Sequence, residues 1–322
     1  GYKSVFTFHL SHYSCFTGTL MQSMEKTCKG MIDPSACTYC SFRTRGLSPF
    51  TAGVLNTGAA VLKFAGLNTG LQKGAVATAL GMHFLIEQKI KNLTELTQLV
   101  SKLVLITDWY RNVLTLNHVP ADKMLVIKQG LPHTAEIISS PALPASPLRL
   151  IFIGRISQFK GVHLLLKALE GIDQNKVSLD IYGPANEDEY AADCVQQAAL
   201  MPNVNWKGII KKEAVLTVLQ EYHALCLPST FSEMSPLVIQ EAFAAGVPVI
   251  ASNVYGNAEQ IKDGVNGLLF RFNDALSLRE QILQCITQPQ LVLQLKQAVS
   301  APRSFNEVGE AYHNLYQEIL KS

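Results

Sequence analysis

From Leu148 onward the chain alternates short apolar runs with helical stretches, and this alternation leaves few folds open. The pattern predicts strand Leu148–Ile153 then helix Val162–Leu169, strand Val177–Tyr182 then helix Glu189–Leu200, and strand Val204–Lys207 then helix Glu213–Leu219. Strand Ala224–Leu227 leads into a helix carrying Glu241, and strand Val249–Ala251 into a short helix near Ala258. Strands alternating with helices in this way form a parallel, doubly wound sheet with helices on both faces. Ligands of such sheets sit outside the carboxyl ends of the strands. The loops that follow these strands are therefore the first place to look for chemistry. Helical segments Leu276–Thr287, Leu291–Ala298 and Glu307–Leu320 close the chain.

The part before Leu148 is less regular. Residues Lys3 to His9 read as a strand ending in His, and the cysteine-bearing stretch to Arg45 reads as a long loop. Gly46 to Leu99 is rich in Gly and Ala and helical in patches. Leu103–Ile106 and Lys123–Ile127 read as strands, with Asp108 placed to cap a helix over Trp109–Leu116. The Pro/Ser-rich segment Ser139–Pro147 marks the clearest boundary. We therefore expect a first domain over 1–138, a linker over 139–147 and a second domain over 148–302. A last helix over 303–322 is expected to cross back to the first domain. A length of 322 residues fits two domains.

Composition excludes several classes. With 48% hydrophobic and 16% charged residues the chain is globular, not disordered. A formal net charge of +2, with no Lys/Arg stripe interleaved with aromatics, argues against a nucleic-acid partner. No apolar run reaches the ~18–20 residues of a membrane span, and no basic-then-apolar leader opens the sequence. A cytoplasmic protein is the expectation.

Of the seven cysteines, Cys194, Cys226 and Cys285 are scattered in apolar or helical settings. Cys15, Cys28, Cys37 and Cys40 form a group with spacing C-x12-C-x8-C-x2-C. In a reducing compartment such a group points to metal more than to disulfides. A structural zinc on these four is one reading, and four reduced loop thiols the other. His9 and His12 are near enough in sequence to compete as ligands.

The most informative stretch is Glu233-Met-Ser-Pro-Leu-Val-Ile-Gln-Glu241. One carboxylate falls in the loop at the end of a strand, the other in the helix that follows. Pro236 fits the first helical turn, where its missing N–H costs nothing. The backbone N–H groups of Ser235 to Val238 then lack intrahelical partners, which makes an anion site. Two carboxylates that hold hydroxyls beside a nest that holds phosphate suit a nucleotide-sugar. Earlier in the domain, the first strand ends in Gly154-Arg155-Ile-Ser-Gln-Phe-Lys160-Gly161. Arg155 offers a fork matched to phosphate oxygens and Lys160 a point charge at a helix start. Cations there oppose the helix dipole unless an anion lies between them. On its own, the pair also fits two solvated surface cations.

These motifs, with Gly256-Asn-Ala-Glu259 and Asp263-Gly-Val-Asn-Gly267-Leu-Leu in fixed order, resemble the C-terminal domain of the GT-B, family 4 group of retaining glycosyltransferases. The resemblance covers residues 148–322 closely and the earlier part loosely. It implies a GT-B fold of two Rossmann-like domains facing a cleft. It implies a nucleoside-diphosphate sugar as donor, and no metal or other cofactor for catalysis. By the resemblance, Arg155 and Lys160 hold the diphosphate and Glu233 the hydroxyls of the transferred sugar. Ser235, Pro236 and Leu237 lie along sugar and phosphates, and Glu241 holds the ribose. Gly154 turns the phosphate loop, and Gly183-Pro184 and Gly208-Ile209 match positions near the base. Val5-Phe-Thr-Phe-His9 looks like the strand whose His faces the donor sugar, and the Cys-rich loop recurs in a subset of these enzymes. Asn257 stands where the family often has a second glycine.

The family's first domain opens with further strands and a glycine-rich loop, so an N-terminally truncated, incomplete first domain is expected. The acceptor is expected to be a glycan or a lipid-linked saccharide, and a lipid-linked one would bring peripheral membrane contact. No basic amphipathic helix in the sequence supports that contact. Other readings are a nucleotide-sugar epimerase, a non-catalytic nucleotide-sugar binder that needs a missing segment or partner, and a zinc-ribbon interaction module.

Overall fold

The computed structural model describes residues 2–68, 74–132, 147–184 and 189–321. It divides into two compact units, one comprising Gly1–Lys128 with Tyr312–Ser322 and the other Gln129–Ala311. The linker expected at 139–147 lies, except for its last residue, outside the described residues.

The first unit holds a three-stranded parallel sheet of β1 (Val5–Phe8), β4 (Lys102–Leu105) and β5 (Met124–Val126), in the order β1-β4-β5. Between β1 and β4 run a small antiparallel hairpin, β2 (Met21–Gln22) with β3 (Lys26–Thr27), and four helices. These are α1 (Pro34–Thr44), α2 (Pro49–Phe64), α3 (Ala75–Leu80) and α4 (Met82–Leu99); α5 (Asp108–Leu116) follows β4. Tyr110 on α5 is fully buried, packs edge-on against Phe8 of β1, and shares a 3.0 Å hydrogen bond with Ser14.

Two expectations are corrected here. The cysteine-bearing stretch is not one loop, because its second half is α1. Asp33 caps that helix, its carboxylate accepting from the Ala36 N–H at 2.6 Å, and Pro34 takes the first helical position. Asp108 is not a cap but the first residue of α5, with Thr107 at the cap position. Its carboxylate pairs instead with Arg111 at 3.4 Å and Lys128 at 3.1 Å.

The second unit is a six-stranded, wholly parallel sheet in the order β11-β10-β9-β6-β7-β8. Its strands are β6 (Leu148–Ile153), β7 (Val177–Tyr182), β8 (Val204–Gly208), β9 (Ala224–Leu227), β10 (Val249–Ser252) and β11 (Gly267–Phe270). Helices α6 (Val162–Leu169), α7 (Glu189–Ala199), α8 (Val215–Leu219), α9 (Leu237–Ala244) and α10 (Tyr255–Ala258) connect them. The chain ends with α11 (Ala275–Thr287), α12 (Pro289–Ala298) and α13 (Phe305–Lys321). Both faces of the sheet are covered, as a parallel sheet requires. Leu150 and Phe152 of β6 pack into one core with Cys226 and Ile250, while Ile151 turns to the other with Leu225, Leu227 and Val249. The strand order reverses between β6 and its neighbour β9, and that is where ligands of such sheets bind. No helix among the described residues is long and apolar enough to cross a membrane.

Candidate functional site

The loops leaving β6 and β9 carry the two leading motifs, and the sheet order sets them side by side. Lys160 Nζ donates to Glu233 Oε1 at 2.6 Å, and Ser229 Oγ donates to the same oxygen at 2.8 Å. The pair is largely withdrawn from water, with the side chains of Lys160 and Glu233 19% and 8% exposed. Two further hydrogen bonds join the loops. Thr230 N–H donates to Phe159 O at 2.8 Å and Thr230 Oγ1 to Gln158 O at 2.7 Å. Phe231 lies beneath Lys160, its ring 5.6 Å from Nζ and edge-on to Phe159.

Gly161 makes this approach sterically open. Its φ is +70°, and a Cβ there would lie 1.9 Å from Pro228 O. Only glycine satisfies both the left-handed turn and the contact. Arg155 is exposed on the same loop.

Helix α9 starts at Leu237, with Pro236 at the cap position and no side chain capping it. This is one residue later than Pro236 in the first turn. Ser235 is half-buried, Pro236 buried and Leu237 45% exposed beside the helix mouth, whose first N–H groups face away from the helix body. Glu241 sits one turn in, half-buried. Burial pushes its carboxyl above the ordinary range, and the charge of Lys212 opposes that rise. Gly154, Gly183 and Gly208 close a row at the ends of β6, β7 and β8. Gly154 N–H donates to Tyr182 O at 3.0 Å and Gly183 N–H to Gly208 O at 2.8 Å. Pro184 O accepts from Ile156 N–H at 3.2 Å, and Ile209 is 76% exposed. All these residues belong to the second unit. His9 belongs to the first, exposed just past β1.

Ser229, Thr230 and Phe231 are absent from the sequence-based site. Their signal was the segment Pro228-Ser-Thr-Phe231 directly after a strand end, the same position that drew attention to Gly154–Gly161.

Cys15, Cys28, Cys37 and Cys40 do meet, lining one cavity of about 70 Å³ with Phe16 and Met21. None of the four is in a disulfide. Burial raises Cys28 and pushes Cys37 up to about 11. Cys40 Sγ bonds Met21 O at 3.3 Å and Cys15 Sγ shares a 3.3 Å contact with Thr17 Oγ1. Among the described residues no three His, Cys, Asp or Glu side chains are placed to hold one metal ion. The expectation of a structural zinc is therefore not supported.

Known proteins share this architecture. The crystal structure of Anabaena HepE in complex with UDP-glucose superposes with a TM-score of 0.62 at 18% identity, covering 84% of this chain and 82% of that one. Sucrose-phosphate synthase from Thermosynechococcus elongatus gives 0.60 at 19%, covering 89% and 72%. The α/β class with parallel sheets is as expected, and the structural neighbours are GT-B glycosyltransferases. In sequence, the putative colanic acid biosynthesis glycosyltransferase WcaL of Salmonella typhimurium is 26% identical over 172 residues, 51% of this chain and 42% of that protein. Glycogen synthase of Mycobacterium tuberculosis is 24% identical over 169 residues, 52% of this chain and 41% of that protein. The matched part thus spans about two-fifths of these relatives' length. A family model described as glycosyl transferases group 1 matches residues 134–300, more than half of the chain, and the chain belongs to that family.

Proposed function

We propose that the chain acts as a retaining glycosyltransferase of the family 4 type, moving a sugar from a nucleoside-diphosphate donor to a glycan or lipid-linked acceptor. The observation that carries this reading is the Lys160–Glu233 contact at the switch point of the sheet, beside the uncapped mouth of α9. A cation, a carboxylate and free N–H groups in one place match the three parts of a diphosphate sugar. The family membership and the UDP-glucose bound to Anabaena HepE support the same class of donor.

In this reading Arg155, Lys160 and the α9 mouth meet the charge that builds on the departing diphosphate. Stabilising such charge with fixed donors is the main electrostatic route to rate acceleration. It needs no divalent metal. Glu233 holds sugar hydroxyls, Glu241 the ribose, and Ser235, Pro236 and Leu237 flank sugar and phosphates. Gly154 shapes the phosphate loop, while Gly183-Pro184 and Gly208-Ile209 border the base. His9, by the resemblance, contacts the donor sugar. Retention would follow from front-face attack by the acceptor. The expected domains (1–138, 148–302 and a returning helix over 303–322) belong to the same reading, as does peripheral membrane contact for a lipid-linked acceptor.

Isothermal titration with UDP, GDP and ADP tests it. One of the three should bind, and Lys160→Met should weaken that binding at least tenfold. Failure of all three to bind the wild-type chain would refute the donor site. Binding without turnover on any acceptor would favour the non-catalytic binder.

A further inference from the structure

Glu233 is held from behind by more than Lys160. Ser229 Oγ donates to its Oε1, and Ser229 is itself wholly buried at the end of β9. Ser229 O accepts a 2.8 Å hydrogen bond from Ser252 Oγ at the end of β10. Asn257, on α10, donates through Nδ2 to both Ser252 O at 3.1 Å and Ser252 Oγ at 3.2 Å. Ser229, Ser252 and Asn257 are each 0% exposed. The route from α10 to the carboxylate thus runs from the Asn257 amide to Ser252, from the Ser252 hydroxyl to the main-chain carbonyl of Ser229, and from the Ser229 hydroxyl to Glu233.

The backbone follows the same route. Gly256 N–H donates to Glu233 O at 3.1 Å, and a Cβ at Gly256 would lie 2.4 Å from both Glu233 O and Met234 O. The turn into α10 is therefore seated directly on the Glu233 loop.

Burying polar groups is costly unless they are hydrogen-bonded. Asn257 Oδ1 is buried and has no hydrogen-bond partner among the described residues. A glycine here, which the resembled family often carries, would leave no such atom. The Asn257 amide nitrogen is instead held on Ser252 by two bonds. Both bonds to Glu233, from Lys160 and Ser229, land on Oε1. Oε2 receives neither.

We propose that Ser229, Ser252 and Asn257 are positioning residues that fix the rotation of the Glu233 carboxylate, reserving Oε2 for a hydroxyl of the donor sugar. The inference rests on the donor reading above and adds a residue set to it. The relay acts on the sugar and not on the diphosphate, because among the described residues its side-chain contact with the site is the Ser229 bond to Glu233. Losing it frees the carboxylate to rotate, and the sugar's share of binding falls while the diphosphate's share stays.

The test compares affinities for a nucleoside diphosphate and for its sugar esters by titration calorimetry. UDP is set against UDP-glucose, UDP-galactose and UDP-N-acetylglucosamine, and GDP against GDP-mannose. Ser229→Ala and Asn257→Gly should leave the diphosphate Kd within about threefold. They should weaken the sugar ester by about tenfold, the value of one hydrogen bond of ~1.4 kcal/mol. Asn257→Gly reads the relay from its other end and serves if Ser229→Ala does not fold. Ser277→Ala removes a buried hydroxyl that accepts from Arg271 N–H at 3.1 Å, far along the chain in α11, and should shift stability without shifting the ratio. Equal weakening of diphosphate and ester, or no weakening of either, would overturn the relay. So would a wild-type chain to which no sugar adds affinity. A wild-type chain that binds no diphosphate would remove the donor reading itself, and the relay with it.

Discussion

Lys160 and Glu233 form a charge-assisted pair at 2.6 Å with little water around either side chain. At an effective dielectric near 20 their gross attraction is about 6 kcal/mol, most of it offset by desolvation of the two ions. Removing one partner leaves the other buried and uncompensated, which costs about 3–5 kcal/mol in well-buried pairs. Glu233 still has Ser229, and Lys160 keeps 19% exposure, so about 2–3 kcal/mol is expected for Lys160→Met. Glu233→Gln keeps an acceptor for Lys160 and should cost less, about 1–2 kcal/mol. The double variant K160M/E233Q leaves no buried ion and should cost about 1–2 kcal/mol in all, well short of the sum. The assay is urea unfolding of the four chains without ligand, read as a double-mutant cycle. A coupling of about 2 kcal/mol is expected, a roughly thirtyfold effect on the unfolding equilibrium. Additivity within about 0.5 kcal/mol, the scatter of independent sites, would show that the two ions are solvated separately and refute the reasoning.

Four further outcomes can be checked. Gly256→Ala should destabilise by about 1–3 kcal/mol, because its methyl group meets carbonyl oxygens 2.4 Å away, and should also weaken donor binding. Gly309→Ala, where a methyl group meets nothing within 4 Å on helix α13, should stabilise by about 0.5–1 kcal/mol in the same urea assay. His223 Nδ1 accepts from Arg149 N–H at 2.8 Å, and burial, then Lys296 and Arg149, bring its pKa down to about 4 from 6.5. With the folded value below the unfolded one, its contribution is fully present above pH 6.5 and is lost as pH falls toward 4. Allowing for partial exposure that is about 2 kcal/mol, and His223→Gln should flatten the fall in thermal stability over that window. Asp33→Ala should cost about 1 kcal/mol through loss of the α1 cap; a change below about 0.3 kcal/mol would mean that Asp33 does not cap in solution.

The second unit was legible because a parallel sheet buried on both faces writes its strands as unbroken apolar runs. Leu148–Ile153, Val177–Tyr182 and Ala224–Leu227 are found where the sequence places them. Strand β11 was not read as one, since Gly267-Leu-Leu-Phe270 is short, begins with glycine and lies at the sheet edge beside β10. Helix α1 was hidden by its Ser, Thr, Cys and Arg content, which gives little apolar periodicity, although Asp33-Pro34 carried its start signal. At the site, the motifs could be read but their mutual contact could not. Lys160 and Glu233 are 73 positions apart, and their meeting depends on β6 and β9 being neighbours. The same order was needed to see Ser229 and Asn257, whose residue types alone suggest nothing.

The first unit is made of two separate lengths of sequence, because Tyr312–Ser322 belongs with Gly1–Lys128. Tyr312, at the start of the returning segment, shares a 3.0 Å hydrogen bond with Thr7 on β1. Recombination between relatives therefore faces an unusual rule. A single crossover near residue 128 would graft one parent's sheet onto the other parent's closing turns of helix, and the Thr7–Tyr312 contact would join strangers. Two crossovers, the second near residue 311, exchange the unit whole. Chimaeras made in the first way should be poorer in folded yield than those made in the second, and a stop codon after Ala311 should injure the start of the chain.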